Sequence, residues 1–277
     1  MRPILIPKFI TYCCTSGLST LDKTAIIKTK YAQLLKGKPT VSIVIPAYNE
    51  ASNILQTLLS LSSNTTNYSV EIIVVNNNSK DATEALVTAS GVNCITELKP
   101  GITAARTAGL MAAKGKFILN ADADTIYPEN WITLMVAPLE DTAVALTYGR
   151  FAFIPVANTG RITYFFYEYI TDIVRFAKRY LKDEAVNVYG FNSGYRREQG
   201  LLVDAYQHPP GSNEDGYLAL KLRDKGFGKL HLVTNLQAMV WTTDRRIQTD
   251  GGLLKASTER LKKLLLPNKE VVVRSDL

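Results

Sequence analysis

From Val41 onward, short apolar runs rich in β-branched residues recur along the chain: VSIVIPA (41–47), VEIIVV (70–75), VNCITEL (92–98) and KFILNA (116–121). Between them the apolar positions take up helical spacing. The first intervening stretch sets Ala51, Leu55, Leu58 and Leu59 on one face, and the second follows Ser79 with Asp81, Ala82, Ala85 and Leu86. Near-continuous apolar strands alternating with helices predict βαβ units and a largely parallel sheet covered on both sides. Ser79 has the chemistry of an N-cap, and Asp81 suits the positive end of the second helix.

The second half has a different rhythm. A long helix is predicted over about 160–181, then a turn-rich stretch YGFNSGYRREQG, a helix near 213–226 and a basic helix near 252–265. In the long helix, Ile162, Phe165, Phe166, Tyr169, Ile170, Ile173, Ala177 and Tyr180 recur at helical spacing, with Arg175, Lys178 and Arg179 towards its end. Such a stripe predicts a face turned to the core or to a second copy of the chain. The other reading is an interfacial helix at a membrane surface, or a groove for a lipid-linked acceptor. LLKASTERLKKLLL (253–266) poses the same choice. Residues 1–40 show no clear periodicity and end in the turn-prone LLKGKPT; they read as an extension, or else as a packed arm. The expected organisation is one domain over 41–250, with a nucleotide-binding half (41–125) and an acceptor half (126–250). It is flanked by the extension and by a basic helix and tail (251–277).

Composition narrows the classes. With 277 residues, 46% of them hydrophobic, the chain can bury a sizeable core, so disorder is excluded for most of it. A net charge of +7 suits an anionic partner: a nucleotide diphosphate, a nucleic acid or an acidic membrane surface. Cys13, Cys14 and Cys94 make neither a disulfide framework nor a zinc spacing, which points to a reducing cytoplasm. Pro3, Pro7 and Lys8 interrupt any signal-peptide run, and no stretch reaches the roughly 18 apolar residues of a membrane span. The expected location is the cytoplasm, including the inner face of its membrane.

In an open α/β sheet, ligands bind beyond the carboxyl ends of the strands. The segments there are YNE after the first strand, NNNSKD after the second, KPGIT after the third and DAD after the fourth. Asp122 and Asp124 flank Ala123, so in an extended segment both carboxylates point one way and repel unless a cation neutralises them. Hard divalent ions such as Mg2+ or Mn2+ take one or two carboxylates together with the phosphates of a substrate. Glu214 and Asp215 open a helical pattern, where acids also complement the dipole.

Taken in order, VSIVIPAYNE (41–50), EIIVVNNNSKDAT (71–83), GITAARTAGLMAAKGKFILNADADT (101–125), YGFNSGYRRE (189–198) and NEDGYLALKLRDKG (213–226) resemble family 2 glycosyltransferases of GT-A fold, over roughly 41–245. The resemblance implies a metal-dependent, inverting enzyme. It would move a sugar from a nucleotide diphosphate sugar, UDP or GDP type, to an acceptor hydroxyl in polysaccharide, glycolipid or other glycoconjugate synthesis. By position, Asp124 is the implied metal ligand, with Asp122 facing the ribose or the metal and Ala123 between them. Pro46, Ala47, Tyr48 and Glu50 would cradle the nucleoside. Asn76, Asn77 and Asn78 stand where the family often has aspartates, so amides would meet the base. Arg106 would approach the diphosphate or base, and Arg245 and Arg246 would close over the diphosphate. Asp215 is the implied general base, paired with Glu214. Asn192 and Ser193 fall where the family approaches sugar and acceptor, followed by Arg196 and Arg197.

PAYNE has no glycine, which sets aside a sugar-phosphate nucleotidyltransferase, and an acidic rim sets aside a nucleic-acid binder. Two alternatives stay open: a non-catalytic nucleotide-sugar-binding protein on the same fold, and a polyprenyl-phosphate glycosyltransferase. His208 and His231 are the only histidines; His208 reads as a loop residue within reach of metal or acceptor.

Overall fold

The computed structural model describes residues 2–155 and 159–243. In chain order its main elements are α1 (Lys8–Thr15), α2 (Thr20–Leu34), β1 (Val41–Ala47), α3 (Ile54–Ser62), β2 (Val70–Asn76), α4 (Thr83–Ala89), β3 (Asn93–Thr96), α5 (Ile102–Ala112), β4 (Phe117–Asn120) and β5 (Thr125–Ile126). Then come α6 (Trp131–Val136), β6 (Val144–Tyr148), β7 (Phe151–Ile154), α7 (Arg161–Leu181), β8 (Ser193–Arg196), α8 (Arg197–Leu202), α9 (Glu214–Asp224), β9 (Lys229–Leu232) and β10 (Val240–Thr243).

The four apolar runs form the parallel strands they predict. The main sheet runs β3-β2-β1-β4-β8-β6-β9, with β8 antiparallel to both its neighbours. Period-two alternation sends Ile43, Ile45, Ile72, Val74 and Leu119 into one core and Val44, Ile73, Val75 and Ile118 into another. Both faces are therefore covered, which is why β1, β2 and β4 are mostly apolar; Ser42 and Glu71, buried on neighbouring strands, hydrogen-bond each other. Gly109 lets α5 lie close on the sheet, because a Cβ there would collide with Val44 and touch Val75. A second, small sheet runs β5-β10-β7.

Three expectations change. Residues 8–34, where the sequence shows no clear periodicity, form α1 and α2 and bury Ile10, Cys13, Ile27, Tyr31 and Leu34 in the first core. The arm is packed, and the Tyr31 hydroxyl accepts a bond from the Ile72 amide at 3.1 Å. Next, α4 starts at Thr83 rather than after Ser79. Ser79 instead accepts from the Asn49 amide, and Asp81 from the amides of Ala51 and Thr83, so both tie loops together.

The third change is the largest. α7 turns its apolar stripe outward, not to the core: Ile162, Phe166, Ile170, Ile173 and Tyr180 are exposed. Its inward side buries Glu168, Thr171 and Arg175 beside Tyr164, Tyr167 and Val174. The cause is an ionic seam. Arg2 reaches Glu168 at 3.1 Å and Asp172 at 2.7 Å, Arg161 reaches Glu168 at 2.8 Å, and Arg150 pairs with Asp172. Buried charges demand such partners, so they fix the rotation of the helix against its hydrophobic pattern. The basic helix expected near 252–265, with Arg245 and Arg246, lies outside the described residues.

Candidate active site

Four loops at the carboxyl edge of the sheet enclose a cleft of about 670 Å3, within the usual range for small-ligand sites. After β1 the chain turns at Asn49, whose φ of 55° is left-handed and whose side-chain oxygen accepts from the Lys80 amide at 2.7 Å. Pro46, Ala47, Tyr48 and Glu50 line the cleft, with Tyr48 exposed. The Glu50 carboxylate accepts a bond from the Asn53 amide group at 2.6 Å.

The asparagine run divides. Asn78 lines the cleft at a φ of 64°. Asn77 also lines it, but its side chain clamps the next loop, donating to the carbonyls of Glu97 and Lys99 and accepting from the Gly101 amide. Asn76 turns away: it donates to Glu84 at 2.8 Å and accepts from the Ser79 amide. The Asn78 side chain also reaches that loop, donating to the Leu98 carbonyl at 3.0 Å and, at 3.4 Å, to that of Glu97.

Asp122, Ala123 and Asp124 form the opposite wall. Their loop is held rigidly: the Asp122 amide donates to the Tyr127 hydroxyl at 2.9 Å, which in turn donates to the Phe191 carbonyl at 3.0 Å. Thr57 donates to the Ala123 carbonyl at 2.9 Å. Among the described residues no three histidines, cysteines or carboxylates converge as a metal cage. An oxygen donor set of two carboxylates fits a hard divalent ion that takes its remaining ligands from a diphosphate and water.

Arg106 sits beneath this wall rather than on it. It is buried, and its guanidinium donates to Asp122 at 3.0 Å and to the Gly190 carbonyl at 3.1 Å. Its Nε lies 3.5 Å from Asp215 Oδ1 and 3.7 Å from Glu214 Oε1. One cation thus joins the Asp-Ala-Asp loop to the start of α9, where Asn213 accepts from the Gly216 amide as N-cap. Burial works against the charge of Arg106, yet Asp215, Asp122 and Glu214 together hold its proton more tightly than usual. For Asp215, burial dominates and raises its pKa to about 7; Arg106 pulls it down, while Glu214 and Asp122 push it up. Its Oδ1 is buried without a hydrogen-bond partner.

Several residues were not legible as site residues. Lys80 is the only cation among the described residues that line the cleft. Gly190 is required by space, because a Cβ there would lie inside the Arg106 guanidinium and the Asp215 carboxylate. Gly190→Ala is expected to lower the thermal midpoint by about 3–9 °C, as overpacking of about 1–3 kcal/mol predicts. Calorimetry on the variant checks this; an unchanged midpoint would mean the cluster yields without cost.

Other expected residues serve the fold. Asn192 accepts from the Trp131 indole at 2.8 Å and Ser193 accepts from Asn120, both buried, so neither is open to sugar or acceptor. Arg196 spans the carbonyls of Val144, Leu139 and Asp141 at the opposite edge of the sheet, and Arg197 bonds Lys116 there. Trp241 is a core residue under Arg161. His208 packs its ring between Thr103 and Ser212, tying α5 to the loop before α9.

A mostly parallel, doubly covered sheet with an acidic cleft at its carboxyl edge is the GT-A arrangement. The chain belongs to glycosyl transferase family 2, whose family model matches residues 42–199. It is 31% identical over 122 residues to glycosyltransferase AglE of Haloferax volcanii, covering 42% of this chain and 40% of that protein. It is 31% identical over 107 residues to the uncharacterized glycosyltransferase YibD of Escherichia coli K12, covering 36% and 31%. The matched stretch therefore spans less than half the length of either relative.

Among solved structures, mannosyltransferase PcManGT from Pyrobaculum calidifontis, in complex with GDP-Man and Mn2+, superposes with a TM-score of 0.57 at 16% identity, over 91% of this chain and 76% of that one. Glucosyl-3-phosphoglycerate synthase from Mycobacterium tuberculosis, in complex with Mn2+, UDP and phosphoglyceric acid, gives 0.55 at 21% identity, over 89% and 84%. At these identities the likeness is one of fold.

Proposed function

We propose that this protein is a divalent-metal-dependent, inverting glycosyltransferase that takes a nucleotide diphosphate sugar as donor and a hydroxyl of a saccharide or lipid-linked molecule as acceptor. The observation that carries the reading is Arg106. A single buried guanidinium holds a carboxylate of the cleft wall, Asp122, and the buried Asp215 in one cluster. Donor site and base are thereby fixed relative to each other, which is the positioning a displacement needs.

In this reading the nucleoside lies against Pro46, Ala47, Tyr48 and Glu50, with Asn78 and Asn77 at the base. UDP and GDP sugars both fit amides that donate and accept. A divalent cation held by Asp124 and Asp122 with the diphosphate oxygens would supply Lewis-acid stabilisation of the leaving nucleoside diphosphate. Asp215 takes the proton of the acceptor hydroxyl while that oxygen bonds the anomeric carbon and the bond to the diphosphate breaks. Direct displacement with one base inverts the anomeric centre. A non-catalytic binding protein has no use for a buried carboxylate poised to titrate near neutrality, which argues for catalysis.

The test is a thermal-shift screen of UDP, GDP, dTDP and CMP sugars with and without Mn2+. A donor at a hundredfold excess over its Kd is expected to raise the midpoint by about 5–10 °C with metal present. The shift is expected to vanish with chelator and in Asp124→Ala. If no nucleotide stabilises the protein in the presence of metal, the reading fails.

A further inference from the structure

The tripeptide KGK occurs twice, at 36–38 and 114–116, just before β1 and just before β4. Parallel pairing of these strands, with Val41 opposite Phe117, sets the two turns side by side at the amino edge of the sheet. β8 runs antiparallel to β4 and so ends where β4 begins, which brings Arg196 and Arg197 to the same edge. The Arg197 amide donates to the Lys116 carbonyl at 2.9 Å. Gly115 lets its turn press on β1, because a Cβ there would lie 2.7 Å from the Ser42 amide nitrogen. The topology thus gathers cations from three segments distant in sequence.

Together they enclose a second cleft, of about 490 Å3. Lys38, Lys114, Lys116, Arg196 and Arg197 line it against one carboxylate, Glu198. Arg196 is engaged by backbone carbonyls. Among the described residues the other four cations enter no ion pair, although Lys116 rests over the Phe117 ring at 5.0 Å. Arg197 Nε is buried and finds no hydrogen-bond acceptor. Crowded like charges and a buried donor without an acceptor both cost free energy, and a bound anion relieves both.

We propose that this cleft binds a phosphate-bearing small molecule at the edge of the sheet opposite the donor cleft. The planar fork of arginine matches phosphate oxygens, and the lysines add point charges suited to a ligand of two or more negative charges. The lining restricts the rest of the ligand. No aromatic side chain lines the cleft, so a nucleobase has nothing to stack on, and Pro39 is its only apolar side chain, so an acyl chain has little to pack against. Recognition therefore rests on the phosphate. The seven residues of β1 separate this cleft from the donor loops, by roughly 20 Å at the rise of a strand. The inference requires no donor to be bound and stands apart from the transferase reading.

The experiment is titration calorimetry of the full chain with pyrophosphate, in buffer freed of divalent metal so that the anion is not carried to Asp122 and Asp124. The wild type is expected to bind, and to bind less tightly as salt shortens the Debye length. Lys80→Ala is expected to bind unchanged, because that lysine lines the other cleft. Arg197→Gln is expected to weaken binding about tenfold, the loss of one charge-assisted contact. Lys38→Gln with Lys114→Gln is expected to do the same, and both side chains are exposed, so this variant keeps the fold should Arg197→Gln not. Absence of binding by the wild type overturns the proposal, as does a double variant that binds as before. Loss of binding in Lys80→Ala puts the anion in the donor cleft and overturns it too, and citrate bound as tightly as pyrophosphate would leave charge alone at work and do the same. Vesicles containing phosphatidylglycerol separate the sources of phosphate. Co-sedimentation that the double variant loses and pyrophosphate competes away assigns a lipid headgroup, whereas pyrophosphate binding without co-sedimentation assigns a soluble ligand; either supports the cleft as a phosphate site.

Discussion

Replacing Arg106 by methionine is expected to destabilise the fold by about 3–5 kcal/mol near neutral pH, the cost of leaving buried charge without its partner. Methionine keeps most of the aliphatic stem, so the loss reports charge rather than packing. Three carboxylates depend on this guanidinium: Asp122 at 3.0 Å, Asp215 at 3.5 Å and Glu214 at 3.7 Å. Without it the pKa of Asp215, already raised by burial, rises further because its one favourable charge is gone. The sign of the pH dependence follows. The variant's deficit is smallest in acid, where the carboxylates are neutral, and grows as pH rises and they must ionise without a counter-charge. Arg106→Lys restores the charge but not the fork that also reaches the Gly190 carbonyl, so it recovers only part of the loss. Urea unfolding of both variants at acid and neutral pH checks this. Equal midpoints for wild type and methionine at neutral pH would show that the cluster is not held by its cation.

The same cluster shows how far the sequence can be read. Strand runs such as VSIVIPA announce themselves, because a doubly covered sheet makes nearly every position apolar. Asp122 and Asp124 were legible by position, since a carboxylate pair after a buried strand falls on the ligand edge whatever the side chains around it do. Arg106 was legible only as belonging to a motif. That its guanidinium turns under the wall depends on Gly190, distant in sequence, leaving room for it. Asn76 fails for a related reason: as the last residue of β2 its direction is set by the sheet's alternation and by Glu84, not by its amide chemistry. In α7 the periodicity was legible, but the choice between a core face and an outward one was not, because the ionic seam with Arg2 and Arg150 decides it. The spacing of Thr24, Ile27, Tyr31 and Leu34 in α2 was present but diluted by lysines on its open side.

Asp215→Asn is expected to lower the transfer rate about 10²–10⁴-fold, the range for loss of a general base, while donor affinity changes little. Asparagine keeps the shape and can still accept from the Gly190 amide, so the Arg106 cluster retains Asp122 and Glu214. In the wild type the rate is expected to rise with pH through the titration of Asp215, near 7 in the unliganded protein and lower once cationic ligands sit beside it. Stability runs the opposite way. The folded pKa lies above the ordinary aspartate value of 3.8, so the folded state holds this proton more tightly. That contribution is complete below the unfolded pKa and is lost as pH rises towards 7. The asparagine variant has no such proton to lose, so relative to the wild type it gains stability between about pH 4 and 7 and keeps the gain above it. Rate and stability therefore diverge in one substitution, the signature of a residue held in a costly environment because its basicity is used. Steady-state transfer assays with urea midpoints across that pH range check both halves. A variant that transfers sugar at the wild-type rate would remove Asp215 from the role of base. One that loses activity without the pH-dependent gain in stability would leave it a structural member of the cluster.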